Sequence, residues 1–232
     1  MNGNKWIGWG VSQIGPLHIK NNIPNQDSFI VKEYNWGIVG VVCDGLGSKK
    51  YSHIGSNALV KSIVQVSEVF DFSKDITLFE PLVFDEWKEN INPYKEEETS
   101  TTLLFVIIKN SKIYIGRVGD GAIAIFGKDS LLIEEDKDSF TNYTTPFGRD
   151  TLIEWEIYDE VEVDSIVICS DGISEDIEHD KKLDFFSTYL LNYKNMNSKI
   201  RTKEIEKWLE NWSVRGHTDD KTIVALIKGK NE

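Results

Sequence analysis

Two cysteines are all that the 232 residues contain, too few for a disulfide framework, and their spacing fits no zinc motif. Cys43 and Cys169 each stand just before an Asp-Gly pair. Two buried, reduced thiols are the expected state, and no bridge between them follows from sequence. No apolar run reaches the ~18 residues needed to span a bilayer, and the longest, such as Leu103 to Ile108, have strand length. Met1 to Gly10 lacks a signal-peptide pattern. These absences set the expectation of a cytoplasmic protein without a membrane partner. Positive charge is also scarce, with 26 Lys and Arg against 38 Asp and Glu and a net charge of -12. That balance discourages nucleic acid and anionic membrane surfaces and favours divalent cations. No Pro/Gly/Ser-rich linker divides the chain and no repeat is evident, so residues 1–232 read as a single domain. Cys-x5-Arg loops and Gly-x-Ser-x-Gly elbows are missing too, which leaves no ready protein nucleophile.

A hydrophobic share of 40% with 11% aromatic residues argues for a packed core and against disorder. Trp6 to Ser12 reads as a strand, and Ser28 to Tyr34 with Gly37 to Cys43 as a hairpin turning at Tyr34-Asn35-Trp36. From Tyr51 to Phe70 the spacing of Ile54, Ala58, Leu59, Ile63, Val66 and Phe70 predicts a helix with one buried face. A second helix is expected over Leu78 to Asn90, stopped near Asn92-Pro93, then a charged, exposed connection over Tyr94 to Glu98. Four β-rich runs follow: Thr101 to Lys109, Lys112 to Val118, Ala122 to Lys128 and Leu131 to Glu134. The short turns between them predict one antiparallel meander. A polar loop, Asp136 to Arg149, precedes strands over Leu152 to Tyr158 and Ser165 to Cys169. Helices over Lys181 to Tyr193 and Lys199 to Trp212 lead to the last strand, Ile223 to Ile227. This order implies an α+β fold, two antiparallel sheets with helices outside them. The tryptophans Trp6, Trp155 and Trp208 are expected to pack.

Chemistry concentrates where apolar strands end in acid. Val41-Val42-Cys43-Asp44-Gly45 and Ile168-Cys169-Ser170-Asp171-Gly172 place Asp-Gly pairs 127 positions apart, and Asp219-Asp220 opens the last strand. A carboxylate at a strand tip followed by glycine is held rigidly where backbone can approach a ligand. Hard divalent cations need such oxygen ligands gathered from distant parts of a chain. The three segments therefore predict one metal site.

Read in order, NQDSF (Asn25 to Phe29), VCDGLGS (Val42 to Ser48), TSTTLLFVI, GRVGDGAI, CSDGISEDI and DDKTIVAL resemble the protein phosphatase 2C family of metal-dependent serine/threonine phosphatases. The resemblance runs from about Gly8 to Ile227, and it is the six motifs together, in order, that make it specific. It implies a four-layer α-β-β-α sandwich with two tight Mg2+ or Mn2+ sites at the sheet edge and a third, weaker one. By the same resemblance Asp44 bridges the metals, the carbonyl of Gly45 binds one, and Asp171 and Asp219 complete the cluster. Asp27 contributes through a metal-held water, Asp120 matches the third site, and Asp220 takes an orienting role. Asp136 to Arg149 falls where the family has a flap. Departures are Gln26 for an acidic residue, Leu46 in the Asp44-Gly45 loop, and no arginine ahead of Gln26-Asp27, where His18 or Lys20 is left to bind the substrate phosphate. His53, after the Asp44-Gly45 loop, is expected at the surface or as a helix cap, with proton donation to the leaving alkoxide as the alternative; His217 lies beside Asp219, where the family scheme gives it no role. The implied reaction is hydrolysis of phosphoserine or phosphothreonine by a metal-activated hydroxide between two cations roughly 3.5–4 Å apart. A phosphoprotein, with a serine/threonine kinase to make it, is the implied partner. Two other readings are an inactive pseudophosphatase that binds without turnover, and an unrelated β protein with structural calcium. Ligands spread over the whole chain count against the latter, since calcium loops gather theirs within about a dozen residues.

Overall fold

The computed structural model describes residues 5–135 and 144–229. Strand β1 (Trp6–Gln13) leads through a short helix α1 (Pro16–Asn21) to β2 (Ser28–Tyr34) and β3 (Gly37–Cys43), then helices α2 (Ser52–Val69) and α3 (Phe79–Ile91). Next come β4 (Leu103–Lys109), β5 (Lys112–Val118), β6 (Ala122–Gly127), β7 (Ser130–Glu134), β8 (Glu154–Asp159) and β9 (Val163–Cys169). Helices α4 (Asp171–Ser174), α5 (Lys182–Tyr193) and α6 (Ser198–Glu210) precede β10 (Lys221–Lys228). Two five-stranded antiparallel sheets result, ordered β1-β10-β9-β6-β7 and β2-β3-β4-β5-β8.

Side chains alternate across a strand with period two, and here both faces are covered, so central strands are apolar throughout. On β3, Ile38 and Val42 point between the sheets, whereas Val39, Val41 and Cys43 point outward beneath α2 and α3. On β9, Ile166 and Ile168 face the inter-sheet core, whereas Val167 and Cys169 meet Phe186, Ile205 and Leu209 of α5 and α6. The four layers expected from the sequence are thus present. The two thiols lie on opposite outer faces with both sheets between them. Sheets pack about 10 Å apart, beyond the reach of a disulfide.

One expectation fails. The runs from residue 101 to 134 do not form a single meander, because β4 and β5 pair in one sheet and β6 and β7 in the other. The chain changes sheet at Gly119-Asp120-Gly121. Gly119 and Gly121 hold φ of +85° and +97°, a region where L side chains are strained. Locally such a turn cannot be told from a hairpin. The connection at residues 94–98 includes a single 3-10 turn, Glu96–Glu98. The helices α1 and α4, six and four residues long, fell below what periodicity resolves, although Pro16 at the start of α1 is a usual helix opener. Of the Asp136 to Arg149 loop, residues 136–143 lie outside the described residues. Among the tryptophans, Trp6 lies in the inter-sheet core, Trp155 packs edge-on to Phe79 and Phe105, and Trp208 packs under α5.

Phe79 anchors α3 to the sheet, fully buried among Phe70, Phe72, Phe105 and Trp155. Phe79→Ala should lower stability in urea denaturation by about 3–5 kcal/mol. A loss under about 1 kcal/mol would mean that this helix is not held by that side chain.

Candidate metal centre

All three acidic strand ends meet at one edge of the sandwich. Asp44 leaves β3 with its N–H donated to Thr102 Oγ1 (3.0 Å) and its carbonyl accepting from Thr101 Oγ1 (2.7 Å) and Thr102 N (2.8 Å). Gly45 N donates to Gln26 O (3.1 Å) and Leu46 N to Ser100 O (3.0 Å), so the loop is tied on both sides. The Thr-Ser-Thr-Thr run is therefore a brace for the first Asp-Gly pair. Asp171 opens α4 directly after β9. Its neighbour Gly172 has no room for a side chain, since a methyl there would stand 1.9 Å from the carbonyl oxygen of Asp220. This close approach brings the second and third acidic segments together.

Asp220 binds the N-terminal segment to the same place. Its buried carboxylate accepts from Gly15 N (2.6 Å), Gln26 N (2.6 Å) and His18 Nδ1 (2.9 Å), which agrees with the orienting role expected of it. Asp219 Oδ1 accepts from Asp220 N (2.8 Å). Behind the edge, Asp27 is buried and its Oδ2 accepts from Ser170 Oγ (2.7 Å), which itself accepts from Thr222 N (3.0 Å). The hydroxyl of Ser170 escaped the sequence reading because its partners are 143 and 52 positions away.

A cavity of about 360 Å³ opens above these groups, lined among others by His18, Gln26, Asp44, Gly45, Asp120, Asp171 and Asp219. Asp120 accepts from Thr144 Oγ1 (2.7 Å) across its mouth. Lys20 is exposed on α1 and does not line it. Nor does His53, which lines a separate cleft with Asp27 and Asn57, while His217 turns its Nδ1 to Lys221 Nζ (3.0 Å).

The electrostatics are strongly unfavourable as the cluster stands. Burial first, then the charges of Asp27 and Asp171, push the Asp44 carboxyl well above its ordinary range. Burial raises Asp27 to about 7, against the hydrogen bonds from Thr222 and Ser170. It raises Asp171 to about 6, with Asp120 and Asp219 adding to the rise. The Asp44 and Asp171 carboxyls come within hydrogen-bonding reach of each other, which raises Asp44 and opposes the rise at Asp171. Asp219, at the solvent rim, is raised as well, by partial burial. Among the described residues, the buried oxygens Asp27 Oδ1 and Asp171 Oδ1 have no hydrogen-bond partner, and no lysine or arginine lines the cavity. Among the described residues, no three of these side chains already form a coordination shell. What they share is unmet negative charge on oxygen-only donors, which fits a hard divalent cation such as Mg2+ or Mn2+.

A sequence model of the protein phosphatase 2C family matches residues 14–210, and the chain belongs to that family. A candidate protein phosphatase of Mycoplasma genitalium is 26% identical over 149 residues, 56% of this chain and 54% of that protein. The chain's match thus spans about half the length of this curated relative. Among solved structures, the serine/threonine phosphatase Stp1 of Staphylococcus aureus is 14% identical and superposes with a TM-score of 0.70 over 98% of this chain and 97% of its own. The catalytic domain of PstP, solved with two manganese ions, is 13% identical with a TM-score of 0.69 over 97% and 99%. PppA of Pseudomonas aeruginosa gives 0.68 at 13% identity over 97% and 98%. At such identities these likenesses establish the shared fold.

Carboxyls raised by folding bind protons that the unfolded chain has already released, so their contribution is complete at acid pH and is lost as pH rises through the folded values. Metal-free protein should therefore lose thermal stability between about pH 4 and about pH 7, the window running from the ordinary carboxyl value up to Asp171 near 6 and Asp27 near 7. Asp27→Asn should flatten this fall and saturating Mn2+ should reverse it. A melting temperature that climbs over the same range without metal would contradict the cluster's electrostatics.

Proposed function

We propose that the chain is a metal-dependent phosphoprotein phosphatase acting on phosphoserine or phosphothreonine. The observation that carries this reading is the convergence of oxygen donors in a cavity that offers no protein nucleophile. Asp44, Asp171 and Asp219, with the Gly45 carbonyl, are the residues to hold two divalent cations, Asp27 supports them from behind, and Asp120 is placed for a third, weaker one. When bound, such cations neutralise the phosphoryl oxygens and make water acidic enough to act as nucleophile near neutral pH.

The chain's own residues do the rest. Thr101, Thr102 and Gly172 fix the backbone that carries the carboxylates before substrate arrives, so little reorganisation remains for the reaction. Of the two candidate phosphate-binding residues, His18 lines the cavity and takes that role, because Lys20 does not line it. A phosphate monoester is among the slowest substrates to hydrolyse unaided, and no lysine or arginine among the described lining residues is there to neutralise its charge. A serine/threonine kinase is the class of enzyme that supplies the substrate. No helix among the described residues is long and apolar enough to cross a membrane, in keeping with a cytoplasmic partner. The inactive alternative gains no support, since Asp44, Asp120, Asp171 and Asp219 are all present in the cavity lining, with Asp27 behind them.

Hydrolysis of p-nitrophenyl phosphate by EDTA-treated protein should return on adding Mn2+. Asp44→Asn and Asp171→Asn should each lower that turnover by at least about 10³-fold, while raising the melting temperature of the metal-free form. Turnover near the wild-type level in either variant would remove the site assignment. Asp120→Ala should slow turnover yet leave two cations bound in calorimetric titration. Loss of all Mn2+ binding there would overturn the third-site reading.

A further inference from the structure

Departure of a seryl or threonyl oxygen from phosphorus leaves an alkoxide, which is too basic to accumulate at neutral pH. Something must hand it a proton, and general acid catalysis of this kind is worth roughly 10²–10⁴-fold. Candidates in the cavity wall are few. Asp44, Asp171 and Asp219 are committed to the cations under the reading above, and Asp120 takes a hydrogen bond from Thr144. Thr102 holds the backbone of Asp44. Leu46 is aliphatic and occupies the loop beside Asp44. His53 lines a different cleft, Lys20 lines neither, and His217, in an adjoining cleft, turns to Lys221. Among the described residues that line this cavity, His18 remains.

Its geometry suits the task. The ring is largely enclosed, with side-chain exposure of 12%, and Nδ1 lies 2.9 Å from Asp220 Oδ2. Asp220 is itself held by the N–H groups of Gly15 and Gln26, 2.6 Å away in each case, so the carboxylate cannot swing aside. A carboxylate on one ring nitrogen fixes the tautomer and aims the other, the arrangement by which an aspartate orients an acid–base histidine elsewhere. Nε2 is then the ring nitrogen left for the cavity that His18 lines.

We propose that His18 is a catalytic residue that protonates the leaving oxygen of the phosphorylated substrate, and that Asp220 is its positioning residue. This rests on the phosphatase reading and deepens it. In the step, the bond from phosphorus to the seryl or threonyl oxygen breaks and its electron pair stays on that oxygen. The proton on Nε2 passes to the same oxygen, and the alcohol leaves. Water supplies the new oxygen on phosphorus, and the proton it gives up restores the one on His18. No oxidant or other reactant is needed.

A proton donor matters more the poorer the leaving group, whereas a residue that only grips the phosphate matters equally for all. The test is a comparison of wild-type protein and His18→Gln, both with Mn2+, on a phosphoserine peptide and on aryl phosphates of graded leaving-group acidity. In the variant, kcat on the peptide should fall by about 10²–10³-fold and that on p-nitrophenyl phosphate by at least tenfold less. The dependence of rate on leaving-group acidity should steepen accordingly. Equal losses on both substrates, or no loss on either, would overturn the proposal while leaving the phosphatase reading intact. Wild-type protein alone provides a second check that needs no variant to fold: a steep dependence on leaving-group acidity would show that no proton is being given. Wild-type protein inactive on every substrate would take down both the phosphatase reading and this one. Asp220→Asn, which keeps an acceptor for Nδ1 without the charge, should shift the peptide-to-aryl ratio in the same direction but less, and an unchanged ratio would remove Asp220 from the scheme.

Discussion

The mutual repulsion of Asp27, Asp44, Asp171 and Asp219 at a poorly hydrated sheet edge is the constraint to which the surrounding structure answers. Two like charges about 4 Å apart repel by ~4 kcal/mol at an effective dielectric constant near 20. No lysine or arginine is among the described residues of the cavity wall; burial and mutual repulsion raise the carboxyls toward their protonated forms, and His18 and Lys221 ease the charge at Asp219. The acidic segments are held in place by neutral groups: two threonine hydroxyls on the Asp44 backbone, a serine hydroxyl on the Asp27 carboxylate, and a glycine where α4 meets Asp220. Those restraints draw on the three apolar clusters beneath them, since Asp44, Asp171 and Asp219 flank strands β3, β9 and β10, each buried over the residues nearest the site. Stability is concentrated in the sandwich and tension at its rim.

Much of this was legible in the chain. The apolar runs of β3 and β9 stand out because both faces of each strand are covered, and α2 because its buried residues recur with helical spacing. The Asp-Gly pairs could be read for a related reason: a strand that stays apolar to its last residue and then turns acidic marks the sheet edge. The partition of strands between sheets was not legible. Gly119-Asp120-Gly121 looks locally like a hairpin turn, and only the pairing of β6 with β9 decides that the chain crosses over. Nor was the full supporting shell of the site. Ser170 reaches Asp27 and Thr222 from far along the chain, and no local pattern signals a hydroxyl that serves two such partners.

His18 illustrates the limit from the other side. A histidine in a polar stretch of sequence carries no sign of its surroundings, and beside it Lys20 looked the equal candidate. Their difference arises from α1, a helix too short to predict, which turns one into the cavity and leaves the other in solvent. Asp220, known from sequence only as the second member of an acidic pair, decides the orientation of that helix by gathering Gly15, His18 and Gln26 around a single carboxylate.

The pairing of β1 with β10 along its full length, Trp6 opposite Lys228 through Gln13 opposite Lys221, has a consequence for biosynthesis. A ribosome delivers the chain from its amino end, so β1 and the Asp220 ligands at Gly15, His18 and Gln26 emerge some two hundred residues before the strand that completes them. During that interval the nascent protein lacks Asp219 and Asp220 and cannot gather its charged edge. The donors of the proposed cation site are therefore complete only once β10 slots between β1 and β9.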